Sequence, residues 1–252
     1  MHRFFVSPDR IHAGRVYFTE EQAHQIGRVL RLRPGNRVIA LDDQGWEYEV
    51  VLERIVRHEV DGRIVARRPA HGEPHVHVTL YQAMLKGRRF ELVLQKGTEL
   101  GVGTFVPVVT ARTVVGSLSG VSAGKWQRWQ RIVTEAAEQS RRGRRPTVEA
   151  PLLFDHALSR GERAGEKLFI PWVGPGAMPA RQALATLDDD VAAVGVLVGP
   201  EGGFAPEEVE RARSAGAVPI SLGPRVLRAE TAAIVAVAVL LYELGEWEAR
   251  GV

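Results

Sequence analysis

Val198-Gly199-Pro200-Glu201-Gly202-Gly203-Phe204 and, further on, Leu222-Gly223-Pro224-Arg225-Val226-Leu227-Arg228-Ala229-Glu230-Thr231-Ala232 decide how this chain is read. Residues 191–197 before the first block are continuously apolar, which predicts a buried strand. Ala205-Pro206-Glu207-Glu208 after it places proline and two carboxylates where a helix begins. The second block repeats the plan: residues 218–222 are extended, Gly223-Pro224 turns the chain, and a helix starts near Glu230. Loops at the carboxyl ends of strands are where open α/β sheets bind ligands, and glycine lets backbone approach a flat ligand closely. Either block alone could equally be an ordinary tight turn. The pair, placed alike after two strands, predicts a binding site.

Working outward, residues 78–83, 105–109 and Lys167–Pro171 read as strands. Helices are predicted from residue 90 to about Gly101 and over 125–140. This alternation specifies an α/β domain with a mostly parallel sheet. The first seventy or so residues read differently, as short strands over 15–18, Arg37–Leu41, 46–52 and 63–66. One helix interrupts them: Thr19 and Gln22 form a capping box, and Ala23, Ile26 and Leu30 share a face. A small β-barrel is the expected closure. Two domains are therefore expected, over residues 1–72 and 73–252, joined near His71-Gly72-Glu73-Pro74-His75-Val76-His77. Without cysteine or a companion carboxylate cluster, these histidines read as linker residues and no metal is expected.

Apolar residues at 45% and charged residues at 25% describe a soluble globular chain. The first residues lack the apolar core of a signal peptide, and the most apolar window, residues 232–242, is too short to span a bilayer. The absence of cysteine excludes disulfides and thiolate catalysis and fits a cytoplasmic address. Residues 1–145 carry 24 Lys+Arg against 15 Asp+Glu, while residues 146–252 carry 9 against 15. Such local excess is what a polyanion-binding surface needs, although a solvated helix face would also show it. No G-x-x-x-x-G-K-[ST], no G-x-G-x-x-G after a strand and no G-x-S-x-G elbow occurs, since Gly116-Ser117-Leu118-Ser119-Gly120 has leucine at the nucleophile's place. Nucleotide-phosphate cradling, dinucleotide binding and serine hydrolysis are thereby poor readings.

The wording of the two glycine blocks resembles the cofactor loops of the SPOUT methyltransferases, and within them the RsmE family of ribosomal RNA uridine-N3 methyltransferases. The resemblance extends to Gln95-Lys96-Gly97-Thr98-Glu99-Leu100-Gly101-Val102, to Glu135-Ala136-Ala137-Glu138-Gln139-Ser140, and to His24, Val29-Leu30-Arg31 and Pro34-Gly35, in the family's order. It implies a PUA-like RNA-binding domain followed by a SPOUT domain with a carboxyl-terminal trefoil knot. It also implies S-adenosyl-L-methionine as cofactor, the N3 of a uracil in small-subunit (16S) ribosomal RNA as methyl acceptor, and a homodimer. By resemblance, Leu197, Gly199, Glu201, Gly202, Leu222, Gly223, Leu227 and Ala232 would line the cofactor slot. Arg228 would orient or stabilise an anionic base, because arginine cannot serve as a base. Glu230 is a candidate base, or equally a carboxylate at a helix amino terminus. Arg3, His24, Arg28, Arg31, Arg141, Arg142, Arg144 and Arg145 are candidate RNA contacts. Two positions depart from the family pattern: Ala229 replaces a usual threonine, and Arg141 stands where glycine is usual. Two other readings stay open, a SPOUT enzyme with a different RNA target and a non-catalytic ribosome-assembly factor.

Overall fold

At the amino terminus six short strands form one sheet: β1 (Arg3–Phe5), β2 (Ile11–His12), β3 (Arg15–Tyr17), β4 (Arg37–Leu41), β5 (Trp46–Ile55) and β6 (Val60–Pro69). The computed structural model describes residues 1–114, 121–188 and 191–248, so Gly116-Ser117-Leu118-Ser119-Gly120 lies outside the described residues. Its residues group into two units, Met1–Glu73 with Thr134–Arg145, and Pro74–Val133 with Pro146–Val252.

In the first unit the strands pair in the order β1-β4-β5-β6-β3-β2, with β1 parallel to β4 and the rest antiparallel. Register shifts at Glu49/Val50 and Leu52/Arg54 mark bulges, which strengthen the twist and curl the sheet around its core. Gly62 sits in that bulged region, where a Cβ would come within 2.5 Å of the Val51 carbonyl oxygen, so any side chain would force the strands apart. Phe4, Val16, Phe18, Val38, Val50 and Leu52 fill the interior, joined by Ala23 and Ile26 from the helical segment. That segment begins as α1 (Glu20–His24), with the Thr19 hydroxyl accepting from the Gln22 amide and the Gln22 side chain accepting from the Thr19 amide. It does not continue as one regular helix. Over Gln25–Val29 it widens to a π-turn, in which the Leu30 amide donates to the Gln25 carbonyl at 2.9 Å.

Thr134–Arg145 completes this unit. Ala137 packs with Phe5, Ile39 and Leu41. Arg141, at the position where the resembled family carries glycine, has φ +65°, a left-handed conformation that costs an arginine about 1 kcal/mol or more. Glu138 is largely buried and accepts a hydrogen bond from the Phe5 amide at 3.0 Å. Burial, reinforced by the neighbouring Glu135 charge, pushes the Glu138 carboxyl up to about 7, against the opposing pull of the Phe5 amide and Arg145. The folded unit thus binds a proton that the unfolded chain releases near its ordinary value. Stability is fully present below that value and falls as pH rises through about 7. The expected loss between pH 5 and pH 8 is on the order of 2 kcal/mol, after allowing for the solvent that still reaches the group. Urea unfolding should show it, and Glu138→Gln should remove most of the slope. An unchanged slope in the variant would place the effect elsewhere.

The second unit alternates strand and helix: β7 (His77–Ala83), α2 (Arg89–Leu100), β8 (Thr104–Val109), α3 (Ala123–Gln139, which from Thr134 on belongs to the first unit), β9 (Thr147–Val148), β10 (Leu152–Leu153) and α4 (Phe154–Arg163). It continues through β11 (Lys167–Pro171), β12 (Met178–Pro179), α5 (Ala180–Leu184), β13 (Ala193–Val198), α6 (Pro206–Ser214), β14 (Val218–Ser221) and α7 (Ala229–Glu243). The sheet runs β10-β8-β7-β13-β11-β14-β12, with β9 beside β8, and every pair is parallel. Strand side chains alternate between two apolar layers. Val194, Val196 and Val198 face the layer containing α2, α5 and α7, whereas Leu197 faces the layer containing α4 and α6. In the second layer a buried Glu166 carboxylate accepts from Thr79 Oγ1 at 2.7 Å, Tyr81 OH at 2.6 Å and Arg160 Nη1 at 3.0 Å. A buried charge so fully partnered fixes the packing of α4 on the sheet.

Candidate functional site

Parallel strands bring all their carboxyl ends to one edge, and β13, β11 and β14 are consecutive neighbours in the sheet. Their following loops, 199–205, 172–177 and 222–228, therefore meet. They surround a cavity of about 810 Å³, within the range of small-molecule sites. Gly199, Glu201, Gly202, Leu222, Gly223, Leu227, Arg228, Glu230 and Ala232 all line it, as the sequence placed them together. Leu197 is different: it is buried among Tyr81, Val106 and Phe204 in the α4/α6 layer, and its neighbour Val198 lines the cavity instead.

The loop after β11 was not singled out from sequence, yet Trp172, Val173 and Gly174 form one wall. Its signal was present. Gly174-Pro175-Gly176 follows a strand just as the other two glycine and proline turns do. Arg89 and Arg112, from the other side, were also missed.

Local contacts hold the first loop in a fixed shape. Gly203 closes a turn by donating to the Pro200 carbonyl at 2.9 Å, with φ +66°. A Cβ on Gly199 would lie 3.2 Å from the backbone of Gly203 and Phe204, closer than ordinary contact, so a side chain there would push on this turn. Arg112 Nη1 donates to the Gly202 carbonyl at 3.0 Å. Glu208, in the first turn of α6, accepts from the Ala205 amide and from the Ala111 amide, both at 2.8 Å. Glu201 accepts from the Lys86 amide at 3.1 Å and from Arg89 Nη1 at 3.0 Å. Burial raises the Glu201 carboxyl, but its own amide, the Lys86 amide and the Arg89 charge outweigh this and hold it below its ordinary value.

In the second loop Gly223 has φ +102°, and a Cβ there would meet nothing within 4 Å. Arg228 is the residue that precedes α7, with extended backbone, an exposed side chain and its carbonyl accepting from the Ala232 amide at 2.8 Å. Glu230 follows in the first turn and is only 9% exposed. Its Oε1 lies 3.9 Å from Arg89 Nε, and its buried Oε2 has no hydrogen-bond partner among the described residues. A buried carboxylate oxygen left unmatched is costly, which points to a donor supplied by a ligand. Close backbone, a carboxylate with an unmatched oxygen and an arginine at the rim make a site for a flat, polar-edged molecule bearing hydrogen-bond donors.

The candidate RNA contacts all fall in the first unit. His24, Arg28, Arg31, Arg141, Arg144 and Arg145 are solvent-exposed. Four of the eight have partners within the unit: Arg3 with Glu47, Arg142 with Glu73 at 2.7 Å, Arg145 with Asp43 at 2.8 Å, and Arg144 with the Gln44 carbonyl at 2.9 Å. Arg142 is 3% exposed and would have to leave Glu73 to meet a phosphate. Of the histidines expected in a linker, His75 contacts Glu246, whereas His77 is the first residue of β7 and contacts Thr104, and no group of three metal-ligating side chains occurs among the described residues. No helix among them is long and apolar enough to cross a membrane.

The sequence model of an RNA methyltransferase domain matches residues 72–241, and that of an RNA methyltransferase PUA domain matches residues 18–65. The ribosomal RNA small subunit methyltransferase E of Synechocystis sp. is 36% identical, over 94% of this chain and 76% of its own. The enzyme of that name from Bacillus subtilis is 31% identical over 89% of each chain. A solved structure of ribosomal RNA small subunit methyltransferase E from Neisseria gonorrhoeae bound to S-adenosyl methionine superimposes with a TM-score of 0.85 at 30% identity, covering 96% of this chain and 97% of that one. A putative methyltransferase from Legionella pneumophila with the same bound cofactor gives equal values.

Proposed function

The chain belongs to the RNA methyltransferase family of the ribosomal RNA small subunit methyltransferases E, and on that premise we propose that it methylates the N3 of a uracil in small-subunit ribosomal RNA, using S-adenosyl-L-methionine. The observation that carries this is the three-loop cavity, whose close glycine turns suit a nucleoside cofactor and whose unmatched Glu230 oxygen is left for a donor on the methyl acceptor. Gly199, Glu201, Gly202, Leu222, Gly223, Leu227 and Ala232 would hold that cofactor, with Leu197 supporting the first loop from beneath. Bound there, S-adenosylmethionine supplies an electrophilic methyl group. The chain's own task is the acceptor: its imino proton must leave, and the resulting negative charge must be stabilised. Glu230 takes the proton in this reading, and Arg228 faces the anion. N3 is on the pairing edge, so the uracil enters unpaired or flipped out. The test is mass mapping of modified nucleosides in small-subunit ribosomal RNA from cells with and without the protein. Identical N3-methyluridine content in both would refute the reading.

The amino-terminal unit would hold the RNA, with His24, Arg28, Arg31 and Arg141 exposed to it, Arg144 and Arg145 exposed but held by Gln44 and Asp43, and Arg3 and Arg142 shaping the surface from within through Glu47 and Glu73. Replacing Arg28 and Arg31 together by glutamine should lower the slope of log affinity against log salt by roughly 1.4, about 0.7 for each lost contact to single-stranded RNA. Cofactor affinity should stay constant. A slope equal to the native one would show these arginines to be solvated bystanders.

The working unit in this reading is a cytoplasmic homodimer with a carboxyl-terminal trefoil knot, in keeping with β13 lying between β7 and β11. Along α7 one side is buried by Ala233, Ala236, Val237 and Leu240, but Ile234, Val235 and Ala238 stay half-exposed and Tyr242 is 65% exposed. An apolar side left over after packing calls for a second chain. Sedimentation at micromolar concentration should give about twice the 27.7 kDa chain mass. A fully active monomer would remove the dimer from the proposal.

A further inference from the structure

Arg89 is the first residue of α2, where its positive charge opposes the helix dipole and does nothing for the helix. Two carboxylates account for its position. Arg89 Nη1 donates to Glu201 Oε1 at 3.0 Å, and Arg89 Nε stands 3.9 Å from Glu230 Oε1. Glu201 belongs to the loop after β13 and Glu230 to the first turn of α7, so one guanidinium spans both glycine blocks. The Lys86 amide, just before α2, also donates to Glu201 Oε1 at 3.1 Å, which anchors the amino end of this helix to the first loop. Arg89 is also part of the cavity wall. With Glu230 Oε1 drawn toward Arg89, the opposite oxygen, Oε2, is the one left buried without a partner.

We infer that Arg89 is a positioning residue for methyl transfer: it fixes the Glu230 carboxylate so that Oε2 is presented to the donor group of the bound ligand, and it ties that orientation to the closed shape of the Glu201 loop. This rests on the methyltransferase reading above. Its action is through Glu230, and its effect belongs to turnover more than to binding. Lysine at this position could keep the charge between the two carboxylates, whereas glutamine could not.

The test is steady-state methylation of small-subunit ribosomal RNA by purified native protein, Arg89→Gln, Arg89→Lys, Glu230→Gln and the double variant Arg89→Gln/Glu230→Gln. Arg89→Gln should lower kcat about tenfold with KM for the RNA changed by less than about threefold, and Arg89→Lys should recover most of the loss. In the Glu230→Gln background, Arg89→Gln should add less than about a twofold further loss, because both changes remove one function. Melting temperatures of the two Arg89 single variants should stay near the native value, since the Arg89 side chain is 44% exposed. Should Arg89→Gln not fold, Arg89→Met is measured in its place. Native kcat in the arginine variant, or losses that multiply independently in the double variant, would overturn the inference. Inactivity of the native protein on this RNA would instead overturn the methyltransferase reading, and the inference with it.

Discussion

Gly223→Val is expected to weaken S-adenosylmethionine binding about a hundredfold while leaving the protein folded. Two separate costs arise. A valine at φ +102° sits in a conformation that β-branched residues avoid, worth roughly 1–3 kcal/mol, and because free and bound protein both carry this strain it lowers stability and not affinity. Its side chain also occupies space beside the cavity that no protein atom fills within 4 Å, and crowding a close-fitting site costs binding roughly 1–3 kcal/mol. The upper part of that range is about two orders of magnitude in the dissociation constant. The strain can be separated from the exclusion. Gly216, in the turn after α6, has φ +83° and is equally open, but it is not part of the cavity wall. Gly216→Val should therefore lower the melting temperature comparably and leave cofactor affinity intact. Titration calorimetry on both variants decides the matter. A folded Gly223→Val protein that binds as the native one does would take Gly223 out of the site.

The contrast between Gly199 and Leu197 explains how far the sequence could be read. Strands over Arg37–Leu41 and Lys167–Pro171 occur as expected, because continuous apolar or alternating runs bounded by turn residues carry their own signal. The two glycine blocks were legible for the same reason, and the parallel sheet brings them together. Lateral strand order was not legible. That β11 lies between β13 and β14 is fixed by pairing across long stretches of chain, and no local pattern records it. Without that order the loop holding Trp172 looks like any other turn, although it has to lie between the two that were recognised. Side-chain direction was lost in the same way. Leu197 and Val198 are both apolar residues at a strand end, and only the pleat decides that one packs under α4 and α6 while the other meets the cavity. Among the basic residues, charge density was visible but pairing was not, since Glu73 and Asp43 are distant in sequence from the arginines they hold. The π-turn at Gln25–Val29 left no trace because α- and π-turns use the same residues.

Glu230→Gln is expected to lower kcat for RNA methylation by a factor of about 10² to 10⁴, the usual contribution of a positioned base. Glutamine keeps the size of the side chain and its hydrogen-bonding oxygen but cannot accept a proton from an imino nitrogen. Arg228→Ala should cost about 10² in kcat, because it removes a charge facing the anion and not the group that creates it. Cofactor affinity should change little in either variant, as the glycine turns that form the slot are untouched. The competing account of Glu230 is structural. A carboxylate in the first turn of α7 favours the helix dipole by roughly 0.3–1 kcal/mol, and its loss would lower the melting temperature by a few degrees without touching turnover. The two accounts predict opposite pairs of results. Single-turnover methylation, with RNA and cofactor prebound, isolates the chemical step from binding and release. A Glu230→Gln protein that methylates within about threefold of the native rate, but melts earlier, would leave Glu230 as a helix residue only. A slow chemical step at native stability would instead make the unmatched oxygen of Glu230 the proton acceptor that the cavity was formed around.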